Sequence, residues 1–211
     1  LYMRSVDVMV TTKCSLKCES CSNLMQYYKN PKDSDDIKTL DALEILSKNV
    51  DDISEFRIIG GEPLMNRNWS KIVNGIINNN PKRKIYIYTN GTVAPKDEQL
   101  KSFDSNDVNF IITDYGKLSR NADRLTERLN NHGITYVRTP AENWLDCGTI
   151  KQHKRSVGEL KEVFKQCCVK YVYTLLDGKL YRCPFIANAD NLKAIPNNPA
   201  NYVDLFSKKD D

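Results

Sequence analysis

Apolar and polar residues alternate along the chain with two different periods, and this pattern predicts the secondary structure. Five short apolar segments predict β-strands at residues 6–12, 55–59, 84–88, 108–113 and 134–138. Between them, residues 40–50 (with Asp41 as N-cap), 69–77, 96–103 and 119–131 have apolar positions at helical spacing. Strands that alternate with helices favour parallel βαβ units, so the pattern predicts an α/β fold.

The pattern changes after Pro140, which suggests a second, smaller unit. Residues 141–156 lack clear periodicity, residues 157–165 are helix-like, and residues 196–201 are typical of a loop. Segments 169–176 and 179–183 flank Asp177-Gly178, a dipeptide typical of a hairpin turn. We therefore predict a core domain over residues 1–140 and an extension over residues 141–211. No sixth parallel strand is obvious within the core, so we expect it to be irregular or supplied later in the chain.

Three cysteines follow the first predicted strand in the spacing C-x3-C-x2-C, as Cys14, Cys18 and Cys21. Three thiolates on a tight loop can hold three irons of a [4Fe–4S] cube and leave the fourth iron open for another ligand. Clustered cysteines also bind zinc, but structural zinc takes four ligands, and no Cys or His follows Cys21 until His132. A disulfide framework fits poorly, because seven cysteines is an odd number. The triplet alone leaves cluster and zinc both open.

A second motif, Gly60-Gly61-Glu62-Pro63, follows the second predicted strand. Its glycines offer bare backbone and Glu62 offers one carboxylate, a combination suited to a small amine-bearing ligand. Both motifs lie at carboxyl ends of predicted strands, the edge that carries the active site in α/β barrels.

Composition excludes some functions and favours others. The net charge is +4 with Lys and Arg spread along the chain, which argues against a dedicated nucleic-acid binder. No stretch approaches the roughly 20 apolar residues of a membrane span. Unpaired thiols suit the reducing cytoplasm. Because the chain begins at Leu1 and ends on a run of charged residues, we expect residues to be missing at one or both ends.

Together the two motifs resemble the radical S-adenosylmethionine (SAM) superfamily, whose cluster motif is C-x3-C-x2-C and whose GGE motif binds the methionyl amine. The resemblance implies a partial (β/α)6 TIM-like barrel and a [4Fe–4S] cluster held by Cys14, Cys18 and Cys21, with SAM on the open iron. It also implies a one-electron cleavage of SAM to methionine and a 5′-deoxyadenosyl radical. The electron would come from a reductant such as flavodoxin or ferredoxin.

The resemblance also implies which residues contact SAM. These are Gly60, Gly61 and Glu62 for the amine, Thr89 and Asn90 for the ribose, Thr113 in the place of the serine of an S-x-D-G pattern, and Arg138 for the carboxylate. The alternatives are an ordinary turn at Thr89-Asn90-Gly91 and a surface ion pair at Arg138. Ser20 stands where the family has an aromatic residue beside the adenine, and Tyr27 or Tyr28 could substitute.

The later cysteines include the spacing C-x9-G-x4-C from Cys168 to Cys183. This is similar to the opening of the SPASM or shorter twitch extension of radical SAM enzymes, which holds an auxiliary [4Fe–4S] cluster. The resemblance implies Cys168 and Cys183 as ligands, with Cys147 or Cys167 as a third. The C-x2-C pair that commonly completes such a site is missing, so the site is either cut off or incomplete. The alternative is that these are buried structural thiols.

The resemblance implies a function in which the deoxyadenosyl radical abstracts hydrogen from the substrate. We expect a small carbohydrate-like substrate that is oxidised or epimerised, because no peptide-recognition domain is apparent. One alternative is a radical SAM maturase that modifies peptides. Another is a non-catalytic zinc or iron–sulfur binding module.

Overall fold

The computed structural model describes residues 1–103, 107–142 and 149–207. The described strands form one eight-stranded sheet in the order β5-β4-β3-β2-β1-β6-β7-β8. Neighbouring strands from β5 to β6 are parallel, whereas β7 and β8 are antiparallel additions. The strands are β1 (Tyr2–Thr11), β2 (Asp52–Gly60), β3 (Lys84–Thr89), β4 (Val108–Asp114), β5 (Thr135–Pro140), β6 (Val172–Leu176), β7 (Lys179–Tyr181) and β8 (Tyr202–Asp204).

Six helices accompany the sheet in the described parts of the chain. They are α1 (Asp36–Lys48), α2 (Trp69–Asn79), α3 (Asp97–Leu100), α4 (Ala122–Asn131), α5 (Val157–Gln166) and α6 (Pro184–Asn191). The α/β class and the five alternating strands predicted from the sequence are confirmed. Helix α1 begins earlier than predicted, because the side chain of Asp35 rather than Asp41 caps it by accepting from the Lys38 N–H.

The main hydrophobic core lies between one face of the sheet and helices α1 to α4. In β1, Val6, Val8 and Val10 point to this face and are completely buried. Side chains alternate along a strand, so Asp7 and Met9 point to the opposite face. That opposite face carries a second apolar cluster, which includes Met9, Ile59 and Ala187 of α6. It is this face that bears the candidate site.

The sixth parallel strand comes from the hairpin near the end of the chain. Strand β6 pairs with β1, with Asp7 opposite Thr174, and so lies on the other side of β1 from β2. The predicted turn at Asp177-Gly178 joins β6 to β7, and both residues have positive φ, at 53° and 82°. Helix α6 and strand β8 were not predicted. For α6, Pro184 at the first turn was an available signal.

None of the helices in the described ranges is long and apolar enough to cross a membrane.

Candidate active site

A cavity of about 330 Å³ opens on the second face of the sheet, at the carboxyl ends of the parallel strands. Its wall includes most of the residues singled out by the sequence motifs, together with charged and aromatic side chains from deeper in the sheet. Among the lining residues are Cys14, Cys18, Cys21, Gly60, Gly61, Thr89, Asn90, Thr113, Tyr115, Asp7, Arg57 and Tyr88.

The three cysteines lie on the loop that follows β1, and all three side chains line the cavity. Burial raises the pKa of the Cys14 thiol to about 11 and also raises the pKa of Cys18. Each of these two thiols is within electrostatic range of Cys21. Such thiols stay protonated at neutral pH unless a cation binds them, because metal coordination stabilises the thiolate.

This donor set fits an iron–sulfur cluster. Thiolates are the protein ligands that such clusters take, and three from one loop leave one iron without a protein ligand. Two protein donors already point to the Cys14 sulfur, namely the Leu16 N–H at 3.5 Å and the Asn90 amide at 3.8 Å. Hydrogen bonds to cluster sulfurs tune the reduction potential, so Asn90 is positioned to do so. Within the described ranges, no group of three or more His, Cys, Asp or Glu side chains is close enough together to bind a single metal ion, and this includes the three cysteines.

Gly60 and Gly61 allow the β2 turn to pack against the cysteine loop. A Cβ atom on Gly61 would lie 2.2 Å from the Lys13 carbonyl oxygen and 2.7 Å from the Cys14 Cβ. A Cβ atom on Gly60 would lie 2.4 Å from the Thr11 carbonyl oxygen. Real Cβ atoms do not approach other atoms so closely, so any larger residue here displaces the loop. The glycines are therefore required by the protein's own backbone, in addition to any ligand they face.

Glu62 is completely buried, and its carboxylate accepts three hydrogen bonds from the protein. The donors are the Leu64 N–H at 3.1 Å, the Thr89 hydroxyl at 2.8 Å and the Asn90 N–H at 2.7 Å. Burial raises the pKa of Glu62 to about 7, while the three donors act in the opposite direction. The sequence predicted a contact between this carboxylate and the SAM amine. In the structure Glu62 connects the turn after β2 to the end of β3. Its contact with the SAM amine stays a prediction.

We expect Glu62→Gln to destabilise the fold more than it weakens SAM binding. The glutamine amide would set its N–H donors against one of the backbone N–H groups that the carboxylate accepts. A buried donor left without an acceptor costs about 1–3 kcal/mol. The measurement is a urea denaturation of the variant beside Glu44→Gln, which changes an exposed carboxylate paired with Lys48. An unaltered urea midpoint together with lost SAM affinity would contradict this expectation and support a direct contact between Glu62 and the SAM amine.

Asp7 and Arg57 form the floor of the cavity, and the sequence analysis missed them. Asp7 has only 1% of its surface exposed, and its Oδ1 lies 3.0 Å from Nε of Arg57 on the neighbouring strand. The guanidinium carbon of Arg57 lies 4.7 Å from the ring centroid of Tyr88. Burial raises the pKa of Asp7 to about 7 despite the opposing effect of Arg57. A signal was present, because a charged residue interrupts the apolar run of each strand.

The raised pKa of Asp7 predicts that stability falls as pH rises. The folded state binds this proton more tightly than the unfolded state, whose carboxyl has a pKa near 3.8. Asp7 therefore costs no stability below about pH 4, an increasing amount up to about pH 7, and a constant amount above that. Asp7→Asn should remove on the order of 2–4 kcal/mol of this decline, measured as the difference in unfolding free energy between pH 4.5 and pH 8. The control is Asp97→Asn: His132 lowers the pKa of Asp97, so its contribution to stability is lost only below about pH 4, outside this window. An equal decline in Asp7→Asn and the unsubstituted chain would contradict the assignment.

A model of the radical SAM superfamily matches residues 8–182, most of the chain. The chain belongs to the radical SAM superfamily. Its members are enzymes that use a [4Fe–4S] cluster and SAM, so these two predictions are confirmed at the level of the superfamily. The match covers the cysteine loop and the glycine turn, and of the two floor residues it includes Arg57.

Two curated relatives carry the name GTP 3',8-cyclase. The protein from Alkaliphilus oremlandii is 31% identical over 154 residues, which cover 65% of this chain and 48% of that protein. The protein from Alkaliphilus metalliredigens is 29% identical over 133 residues, covering 58% of this chain and 41% of that protein. The chain thus matches less than half the length of these relatives, and the reaction in their name differs from an oxidation or epimerisation.

Two solved structures share the fold. BtrN, crystallised with AdoMet and 2-DOIA, has a TM-score of 0.55 and 18% identity over 89% of this chain and 75% of that one. SuiB of Streptococcus suis, crystallised with its precursor peptide SuiA, has a TM-score of 0.51 and 13% identity over 98% of this chain and 63% of that one. At these identities the likeness concerns the fold alone.

Some residues that the superfamily pattern implied lie on the cavity and others do not. Thr89, Asn90 and Thr113 line it, whereas Arg138 is engaged elsewhere. The Arg138 guanidinium contacts the carboxylates of Asp114 and Asp123, both at 2.7 Å, so the alternative of a surface ion pair describes its position. To contact the SAM carboxylate, Arg138 would have to break its ion pairs with Asp114 and Asp123.

One aromatic residue of the cavity wall, Tyr115, was not considered from the sequence as a neighbour of the cysteine loop. Tyr28 accepts a hydrogen bond from Asn191 and donates one to Asn188, both at 2.8 Å, which ties the loop to α6. Tyr27 is exposed. Tyr115 instead lines the cavity and forms a hydrogen bond with the Cys18 thiol. Tyr115 is therefore an aromatic side chain of the cavity wall that contacts the cysteine loop.

The two predicted auxiliary ligands, Cys168 and Cys183, differ in their surroundings. Cys183 is partly buried at the start of α6, where burial raises its pKa and the Cys167 thiol lies within electrostatic range. Cys168 is exposed. Cys147 lies outside the described residues. Cys167 is therefore a thiol close enough to Cys183 to affect its pKa, and Cys168 as a ligand stays a prediction.

Proposed function

We propose that the chain reductively cleaves SAM and abstracts a hydrogen atom from a small carbohydrate-like substrate, which it oxidises or epimerises. Superfamily membership supports the first step. The observation that carries the second is the cavity, in which the cysteine loop faces a floor whose charged groups are already paired with each other. Such a floor suits a polar molecule that carries no phosphate or carboxylate group.

Cys14, Cys18 and Cys21 would hold the cluster. When bound, the cluster and SAM supply a one-electron cleavage that yields the hydrogen-abstracting 5′-deoxyadenosyl radical. The chain's own residues shape and orient this site. The loop is fixed at its start by Lys13, which pairs with Asp33 at 2.7 Å, and by Thr12, whose N–H donates to the Lys32 carbonyl at 2.9 Å. Backbone groups of Gly60 and Gly61 and the side chains of Thr89, Asn90 and Thr113 would bind SAM.

The architecture proposed for the sheet is the superfamily's partial barrel, with β1 to β5 as its first five staves. We propose residues 141–211 as a twitch-like extension. Its hairpin shares the sheet with the core, because β6 pairs with β1. The reductant, a flavodoxin or ferredoxin, and a cytoplasmic location belong to the same proposal.

We also propose that this extension holds an auxiliary [4Fe–4S] cluster. Cys183 and Cys167 are supported by their proximity, and Cys168 and Cys147 are the further candidates. Two cubes would give about eight irons in the reconstituted chain, since each contributes four. Replacement of Cys167, Cys168 and Cys183 by alanine should then leave about four.

GTP is the second candidate substrate, and the names of the two curated relatives favour it. The cavity itself supports GTP less well than it supports a carbohydrate-like substrate. Among the described residues of the cavity wall, Arg57 is the one Lys or Arg side chain, and Asp7 already compensates its charge. A triphosphate would require an excess of positive charge. The peptide bound by SuiB makes a peptide substrate the third candidate.

The test is transfer of deuterium into 5′-deoxyadenosine from candidate substrates. Reconstituted protein, SAM and a reductant would be incubated with deuterated glucosamine or inositol, and in parallel with deuterated GTP. Deuterium gained from the carbohydrate-like compounds alone supports the proposal. Deuterium gained from GTP alone would replace it with a nucleotide reaction.

A further inference from the structure

The floor of the cavity contains charged groups where the strand pattern calls for apolar ones. Asp7 lies between Val6 and Val8 in β1, and Arg57 lies between Phe56 and Ile58 in β2. The two residues face each other directly across the parallel pair. Buried charges in a sheet interior are costly, so their presence calls for a reason beyond the fold.

The pair does not satisfy its own hydrogen-bonding capacity. Asp7 Oδ1 and Arg57 Nε lie 3.0 Å apart, yet the N–H is not aligned with the oxygen, and both atoms lack a hydrogen-bond partner. The hydroxyl of Thr174, opposite Asp7 on β6, is completely buried and also lacks a partner. Buried polar atoms without partners are rare in native proteins. Asp7 and Arg57 line the cavity, so a bound ligand is in position to supply the missing partners of these two residues.

The surroundings of the pair select the shape of that ligand. Tyr88 stacks against the guanidinium of Arg57 and lines the cavity together with Ile59 and Ile111. One rim of the site is therefore apolar and the floor is polar. A ring with a C–H face and polar substituents at its edge matches both surfaces.

We propose that Asp7 and Arg57 bind two adjacent polar substituents, a pair of hydroxyls or a hydroxyl and an amine, at the edge of a small substrate ring. Arg57 donates to one substituent oxygen, and Asp7 accepts from the neighbouring O–H or N–H group. The pair carries little net charge, so it favours such a ligand over a free phosphate or carboxylate. This assignment rests on the proposed function, since it places the substrate beside the cysteine loop.

Binding without turnover tests the assignment separately from SAM cleavage. Reconstituted protein with SAM but no reductant is titrated with glucosamine, with inositol and with GTP, and binding is followed by ligand-observed NMR under anaerobic conditions. We expect glucosamine or inositol to bind, and Arg57→Met to weaken this binding about 10- to 100-fold, the range for hydrogen bonds to charged groups. Asp7→Asn, which keeps the side-chain volume, should weaken it by a similar factor.

The matched control is Arg83→Met. Arg83 pairs with Asp52, which lies on the same strand as Arg57 but away from the cavity. This control should bind the carbohydrate probes as the unsubstituted chain does. Circular dichroism and urea midpoints show whether each variant is folded, and Asp7→Asn keeps the test usable if Arg57→Met does not fold.

Several results would overturn the assignment. They are failure of both carbohydrate probes to bind, equal binding by the two floor variants and the unsubstituted chain, binding of GTP alone, or a loss confined to SAM affinity. The last would assign the pair to SAM. None of these readouts depends on 5′-deoxyadenosine, so a chain that binds the probes but never cleaves SAM would contradict the proposed function and leave this site standing.

Discussion

Replacing Cys14, Cys18 or Cys21 by alanine lowers the iron content of the reconstituted chain by about four atoms and abolishes SAM cleavage. The reason is that the proposed cube has three protein ligands, and losing one exposes a second iron. The three thiols line one cavity, and no other described cysteine lines it. Iron analysis and the visible absorption of each variant measure the loss.

Lys29→Ala is the control for this series. Its side chain is exposed and lies on the segment that links the cysteine loop to α1. It should retain the iron content of the unsubstituted chain. Protein purified and handled without oxygen could instead contain stoichiometric zinc and no iron. That result would contradict the cluster and show that the three cysteines bind zinc.

The second large effect is expected for Gly61→Ala. The new methyl group would lie 2.2 Å from the Lys13 carbonyl oxygen, and this oxygen also accepts the Glu62 N–H at 2.8 Å. Relief of the clash must move the backbone that carries Cys14. We expect a loss of about 1–3 kcal/mol in unfolding free energy together with severely reduced iron incorporation.

Gly158→Ala is the matched control for this substitution. Gly158 lies in the exposed helix α5, and the one atom near its added methyl group is the Ser156 hydroxyl at 3.9 Å. Alanine is the better helix former, so this variant should gain up to about 1 kcal/mol with unchanged iron content. Normal iron incorporation by Gly61→Ala would show that the glycine turn does not set the position of the cysteine loop.

The strands were predictable because each has a local signature. In β1, core-facing residues such as Val6, Val8 and Val10 alternate with residues on the other face of the sheet. Strand ends coincide with glycines and polar residues. Parallel strands end at one edge, which is why motifs far apart in sequence were expected to meet. The cavity wall places Cys14, Gly61 and Asn90 together as that reasoning predicts.

The remaining features depend on contacts between distant segments, which no local pattern encodes. The pairing of β6 with β1 was not predictable, since a strand's neighbour is chosen by the whole sheet. The partners of Glu62 and Arg138 depend on side-chain directions at the ends of other strands. Asp7 and Arg57 were visible as charges within apolar runs, but only the register of β1 against β2 shows that they meet.

The formation of 5′-deoxyadenosine tests the central claim most directly. The reconstituted chain, given SAM and a strong reductant without oxygen, should produce it in amounts that depend on both additions. Chromatography with mass spectrometry quantifies it against the Cys14→Ala variant, which should produce none. A chain loaded with at least four irons that binds SAM yet yields no 5′-deoxyadenosine would contradict the account.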